Sequence, residues 1–433
     1  MKRKHKRVTR NISLIASVET ELLSELTFPT CRDSYSSNDR DSIAIIGGEL
    51  FNKGAQAMTF TVVDQLSERF PEKDIYLLSR RDYERPPEEK SQYTFDILPW
   101  GLEVYLALFS STLDYLNTTD YSRRIIDDVR ELLLDCSFII DINGYALSSQ
   151  QGFDLSFEYI NNIVLARKFD IPMYIFPQSI GPFDYSQSQK LLLNPLLRTY
   201  LTYPELICPR ESEGIKSLTP YTRNNVQHEF DIVLQNQDYN LKNIFTTAPD
   251  LKQKDIRSDA VGIVPNSKVF ERADPEELYL LYDAVIEMLL KENQTIYLLR
   301  HSVEDLDLCE NIKKRFSDED HVVLIGEELN AIELEYIIDQ FDFMIGSRYH
   351  SLIHAYKNAT PVLAIGWATK YQELLSEFEQ SQYFFEGRNE VNTEDFLKSV
   401  SEMVNNYERE SISIGKKRNK ITNDDLFDDI IHS

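Results

Sequence analysis

The sequence is poor in the features that would send it into a membrane, out of a cell or onto nucleic acid. No apolar run approaches the roughly 20 residues that a membrane-spanning helix needs. The N-terminus, MKRKHKRVTR, is basic, but the apolar run behind it (Ile12 to Val18) is broken by Ser13 and Ser17 and stopped by Glu19. That run is too interrupted for the core of a secretory signal. Only four cysteines occur, Cys31, Cys136, Cys208 and Cys309, widely scattered and without a Cys-x-x-Cys pair. Nothing in that spacing calls for an oxidising compartment, and buried free thiols are the default expectation. Basic residues are the scarcer charge: 46 Lys and Arg against 71 Asp and Glu give a formal net charge of −25. Such a balance argues against nucleic acid as a partner, because phosphate backbones need basic surface. A few arginines gathered in one pocket can still bind a small anion. The expected setting is cytoplasmic, with the basic N-terminus as a point of contact with an anionic inner membrane face. Also missing are a P-loop, a dinucleotide fingerprint, a Gly-x-Ser-x-Gly elbow and a zincin motif.

What is present is length and alternation. At 433 residues, with 42% of them hydrophobic, the chain can build more than one core. Short apolar strands alternate with amphipathic helical segments, the pattern of parallel α/β sheets. Strands are expected at Ser42–Ile46, Ile75–Leu78, Phe95–Leu98, Phe138–Ile142, Met173–Phe176 and Leu206–Cys208. The scheme repeats at Ala260–Val264, Thr295–Leu299, Val322–Ile325, Phe343–Ile345 and Val362–Ile365. Between the halves lies a polar stretch, Gln235–Arg257, which reads as a linker. The expected organisation is a basic extension (1–40), an N-terminal Rossmann-like domain (41–234), the linker (235–257), a C-terminal Rossmann-like domain (258–390) and a helical polar tail (391–433). Two doubly wound α/β domains would face each other across a cleft, where ligands bind.

Chemistry-bearing residues cluster after the strands. Gly47 to Met58 (GGELFNKGAQAM) joins the first strand to the first helix, with Asn52 and Lys53 at its tip. Glycines allow a tight turn and the helix start offers N–H donors, although ordinary turn chemistry explains much of this. Gln178 and Ser179, in FPQSIGPF, sit at another strand end and can hydrogen-bond a hydroxylated ligand. Arg210, in CPRES, stands at a helix entrance. In the second half Arg300, His301 and Ser302 precede Glu304, Asp305 and Asp307. One histidine with several acids could suggest a metal, but acids at a helix start suit capping better, and no metal site is assigned.

The densest cluster is DFMIGSRYHSLIHAYKNATPVLAIGWATK, Asp342 to Lys370. A buried strand breaks at Gly346 and Ser347. Arg348 and His350 then open a helix, and a second strand runs on to Trp367 and Lys370. An arginine, a histidine and a helix N-terminus at one strand end define an anion site with a proton donor beside it. His354, one turn further on, faces the same side or packs inside.

Taken in order, Asn52–Met58 (NKGAQAM), Pro177–Pro182 (PQSIGP), Arg210-Glu211-Ser212, Ser347–Ser351 (SRYHS) and Pro361–Lys370 (PVLAIGWATK) resemble the polysaccharide pyruvyl transferase family. The resemblance spans about residues 42–375. It implies an architecture similar to glycosyltransferases of the B type and an enzyme of surface polysaccharide biosynthesis. Such enzymes move the enolpyruvyl group of phosphoenolpyruvate onto two hydroxyls of a sugar or lipid-linked oligosaccharide, giving a pyruvate ketal and phosphate. Phosphoenolpyruvate is a co-substrate, and no cofactor is implied. The resemblance further implies that Arg210 and Arg348 bind the donor's carboxylate and phosphate, with Asn52, Lys53 and Ser347 nearby, and that His350 gives or takes the proton. Gln178, Ser179, His301, Trp367 and Lys370 are the candidates for the acceptor. Ala55 stands where many relatives carry an aspartate, which removes an acid from that loop. Two alternatives remain: a nucleotide-sugar glycosyltransferase of the same architecture, for which Glu327 and Glu328 would have to read the nucleotide, and a non-catalytic glycan-binding relative.

Overall fold

The computed structural model describes residues 40–109, 121–222, 224–251, 256–388, 391–421 and 426–427. The basic extension and Cys31 lie outside the described residues. Cys136, Cys208 and Cys309 are buried.

Among the described residues, twelve strands form two six-stranded sheets. The first contains β1 (Ser42–Ile46), β2 (Asp74–Leu78), β3 (Asp96–Leu98), β4 (Cys136–Asp141), β5 (Met173–Gln178) and β6 (Leu206–Pro209). Its spatial order is β3-β2-β1-β4-β5-β6, with parallel pairing throughout. The second contains β7 (Ala260–Val264), β8 (Thr295–Leu299), β9 (Val322–Ile325), β10 (Phe343–Gly346), β11 (Val362–Gly366) and β12 (Phe384–Glu386). Its order, β12-β11-β10-β7-β8-β9, is the same winding in mirror listing, again all parallel. Each is a doubly wound Rossmann-like sheet, as the alternating pattern predicts. The central strands are apolar on both faces, SIAII in β1 and AVGIV in β7, because helices cover both sides. The strand order reverses between β1 and β4 and between β7 and β10. In open α/β sheets ligands gather at the carboxyl ends of strands at such reversals.

The eleven strands expected from sequence are present, and β12 is an addition. It is three residues long (FFE) and only partly buried, so neither length nor burial marks it. The acids after β8 form a separate 3-10 turn, Val303–Asp305, before helix Leu306–Arg315, rather than the start of one helix. In the C-terminal segment a single 29-residue helix, Thr393–Ile421, buries Phe396, Val400, Met403 and Ile414.

The chain divides into two compact units, and neither is one continuous stretch. Among the described residues, the first takes in 40–49, 62–229 and 241–247, and the second takes in 50–61, 230–240 and those from 248 on. Helix α1 (Lys53–Arg69) therefore gives its first turns to the second unit. Within the stretch read as a linker, Asn243 donates to Asp64 at 2.9 Å, and Phe245 packs on Tyr93 in the first unit. Tyr239 meets the hydroxyl of Thr61 at 3.0 Å in the second.

Candidate active site

In the second unit the strand ends of β7, β8 and β10 are stitched together by polar side chains. Ser347, just past β10, has its N–H on the Val264 carbonyl, and its own carbonyl accepts from Asn266 (2.9 Å) and Tyr371 (3.1 Å). Ser347 is buried and built into the frame. Arg348 follows as the N-cap of helix α2 (Tyr349–Lys357). Its guanidinium lies against Asp305 through two bonds, Nε to Oδ2 at 2.8 Å and Nη2 to Oδ1 at 2.6 Å, and Nη2 also reaches Glu304 at 3.0 Å. Asp305 is fully buried and accepts two backbone N–H groups as well, from Ser267 (3.0 Å) and Ser302 (3.2 Å). Asp305 closes the capping box of the 3-10 turn with Ser302 and makes no side-chain cap on helix Leu306–Arg315, so its carboxylate serves that turn and orients the arginine.

His350 lies in the first turn of α2. Its ring packs against the backbone of Gly54 in α1, where a Cβ would fall 2.1 Å from Nδ1. Only glycine permits that approach. On the other side Nε2 stands 3.6 Å from the buried carboxylate of Asp231, an ion pair when the imidazole is protonated. Asp231 caps the short helical turn Ile232–Gln235 by accepting from Val233 N–H at 3.1 Å.

The start of α1 is fixed by its own cap. Asn52 Oδ1 accepts from the N–H groups of Gly54 (2.9 Å) and Ala55 (3.2 Å), so that oxygen serves the helix. Lys53 is buried with its ammonium 3.2 Å from Glu328. Gln56 Oε1 accepts from Ala331 N–H at 2.9 Å, tying α1 to the start of helix α3 (Ala331–Asp339).

His301, after β8, is buried, and its Nε2 has no hydrogen-bond partner among the described residues. Burial first, then the neighbouring His354, Arg348, His350 and Lys53, push its pKa well below the ordinary value, so it stays neutral. His354 packs 6.3 Å from it, ring to ring, and its Nδ1 meets Glu335 at 2.9 Å. Glu335 also pairs with Lys357 at 2.7 Å. Of the two histidines on α2, His354 is thus the interior one. Trp367 carries the Arg272 guanidinium over its ring (4.2 Å), and Lys370 sits over Tyr349 (4.6 Å).

The remaining candidates lie in the first unit. Arg210 Nη2 donates to the Gly144 carbonyl (3.0 Å) and to Ser179 Oγ (2.9 Å), while Ser179 donates to Glu211 (2.7 Å). Gln178 Nε2 donates to Asp141 Oδ1 at 3.1 Å. Asp141 is fully buried at the end of β4 and receives Asn143 through its backbone N–H (3.0 Å) and its side chain (2.9 Å). Burial pushes its carboxyl up to about 6, although these bonds oppose the rise. Gly47 has φ +75, and a Cβ there would meet Asn143 at 2.5 Å, so the β1 turn needs glycine.

The second unit therefore gathers Lys53, His301, Ser347, Arg348 and His350, while Gln178, Ser179 and Arg210 come together in the first. Asp231, Glu335 and Asp141 were not anticipated. Asp231 precedes the apolar run Ile232–Leu234, a cap signal, and Asp141 interrupts an apolar strand, a signal in itself. No group of three or more His, Cys, Asp or Glu able to hold a metal ion occurs among the described residues. Nor is any described helix long and apolar enough to cross a membrane.

Solved structures show the fold. The chain is similar in fold to UDP-GlcNAc 2-epimerase of Methanocaldococcus jannaschii, with 12% identity, TM-score 0.51, and 84% of this chain and 93% of that one covered. It is likewise similar to the UDP-GlcNAc 2-epimerase of Neisseria meningitidis (13% identity, TM-score 0.51, 88% and 96%). A UDP-glucose:anthocyanidin 3-O-glucosyltransferase matches at 10% identity, TM-score 0.53, over 89% and 94%. The fold is that of two Rossmann-like domains of the glycosyltransferase-B type. A search of curated proteins finds no matching sequence. The family model for polysaccharide pyruvyl transferase matches residues 52–369, and the chain belongs to that transferase family.

Proposed function

We propose that the protein transfers the enolpyruvyl group of phosphoenolpyruvate onto two hydroxyls of a glycan sugar, forming a cyclic pyruvate ketal and releasing phosphate. The observation that carries this reading is the turn from Arg348 to His350, which puts a guanidinium, an imidazole backed by a carboxylate and a helix N-terminus on one strand end. An anionic donor needs the first and third of these, and protonation of an enol needs the second. Arg210 is proposed as a further anion-binding arginine and Lys53 as a supporting charge. In the proposed reaction His350 gives its proton to the methylene carbon, which becomes the methyl group. The adjacent carbon gains oxocarbenium character, one sugar hydroxyl adds to it, and the bond to the phosphate oxygen breaks. The second hydroxyl closes the ketal. Of the two hydroxyl protons, one restores His350 and the other leaves with phosphate. Gln178, Ser179, His301, Trp367 and Lys370 are proposed for the acceptor. A free or lipid-linked glycan at the cytoplasmic face of a membrane belongs to the same proposal.

Phosphate release from phosphoenolpyruvate in the presence of a glycan fraction tests it. His350→Ala should lower the rate by about 100-fold or more, the usual worth of a general acid, while donor binding survives. An unchanged rate would remove His350 from the chemistry.

A further inference from the structure

The two carboxylates on Arg348 differ in a way that assigns them different tasks. Asp305 is fully buried, grips the guanidinium by two bonds and is itself held by two backbone N–H groups. Glu304 makes one bond to Nη2, and its side chain is 49% exposed. It also hydrogen-bonds the neighbouring Ser302 hydroxyl and feels the charge of Lys268. Displacing Asp305 would strand a buried charge and unpair two amides, which makes it the costly partner to move. Displacing Glu304 gives up one half-solvated ion pair, a weak interaction in water.

We propose that Asp305 is the permanent mount of Arg348, and that Glu304 is a displaceable placeholder whose carboxylate occupies the position an anionic group of the donor takes on Nη2. The inference rests on the reading of Arg348 as a donor-binding residue. Glu304 has the same charge sign and the same oxygen acceptor as a donor carboxylate or phosphate, so donor and Glu304 compete for the same N–H. With the donor bound, the Glu304 side chain turns out to solvent, where its charge is well hydrated. Two consequences follow. The guanidinium keeps its aim in the absence of donor, and the competition with Glu304 weakens donor binding by a modest factor.

The test is calorimetric titration of phosphoenolpyruvate into wild type, Glu304→Gln, Asp305→Asn and Arg348→Ala. Glu304→Gln should bind phosphoenolpyruvate roughly two- to fivefold more tightly, the equivalent of one exposed ion pair. Inorganic phosphate should gain by a similar factor. Asp305→Asn should bind more weakly than wild type and unfold at lower temperature. If Glu304→Gln binds no more tightly than wild type while Arg348→Ala loses binding, the placeholder role is overturned and the donor site stands. If Arg348→Ala binds as well as wild type, the donor site is overturned, and the placeholder role with it.

Discussion

The imidazole of His350 rests on the backbone of Gly54, so close that a single methyl group there would fall 2.1 Å from Nδ1. A residue in the first turn of α1 thus sets the seat of a residue in the first turn of α2. Gly54→Ala should raise intrinsic helix propensity, which alone would stabilise by up to about 1 kcal/mol. Overpacking against the ring costs roughly 1–3 kcal/mol and moves the imidazole. The expected outcome is lower thermal stability together with at least about a tenfold loss in phosphate release. A variant that is more stable and fully active would show that the ring does not depend on this seat.

Asp231 can be separated into its two jobs. Asparagine caps a helix about as well as aspartate, so Asp231→Asn should keep stability within about 0.5 kcal/mol. It removes the charge that faces His350 Nε2, and phosphate release should fall by about tenfold. Chemical denaturation and the rate assay, run side by side, read the two jobs independently. Loss of stability without loss of rate would leave Asp231 as a cap alone.

Asp141 gives a pH dependence whose sign can be worked out. Its carboxyl is raised from 3.8 to about 6 by burial. A raised folded value means the contribution to stability is fully present below pH 4 and is lost as pH rises through about 6. That rise corresponds to about 3 kcal/mol at most. Asp141→Asn removes that slope, so the stability difference between variant and wild type should shift in the variant's favour between pH 4 and 6.5. Urea denaturation at a series of pH values measures it, and a pH-independent difference would contradict the burial argument.

Glu335 carries the opposite sign. Burial raises its pKa, but Lys357 and His354 more than offset this, and the net shift is downward. Its stabilisation is therefore present above the ordinary glutamate range and is lost on acidification. Glu335→Gln leaves the buried Lys357 ammonium without its carboxylate, and should cost about 3–5 kcal/mol. A loss below about 1 kcal/mol would mean that Lys357 finds another partner.

The fold was legible because each central strand is buried on both faces and reads as an unbroken apolar run between turns, as in SIAII and TIYLL. The edge strand β12, half buried and three residues long, carries no such signal. Arg348 and His350 stood out because polar residues arrive abruptly where a strand ends. Their supports did not, since Asp231, Gly54 and Asp305 reach them only through tertiary folding. A carboxylate 119 positions away in the chain leaves no local trace of the histidine it faces. Asp305 reads from sequence as one of several acids at a helix start; in the fold it closes the 3-10 turn instead, and its hold on Arg348 shows only once that residue is in place.

The proposed phosphoenolpyruvate site stands or falls on Arg348. Thermal denaturation of wild type and Arg348→Ala, each titrated with phosphoenolpyruvate and with a UDP-sugar, tests it most directly, because a ligand that binds only the folded state raises the unfolding temperature. The expected result is stabilisation of wild type by phosphoenolpyruvate alone, absent in Arg348→Ala. Stabilisation by the UDP-sugar, with none from phosphoenolpyruvate, would rule that site out.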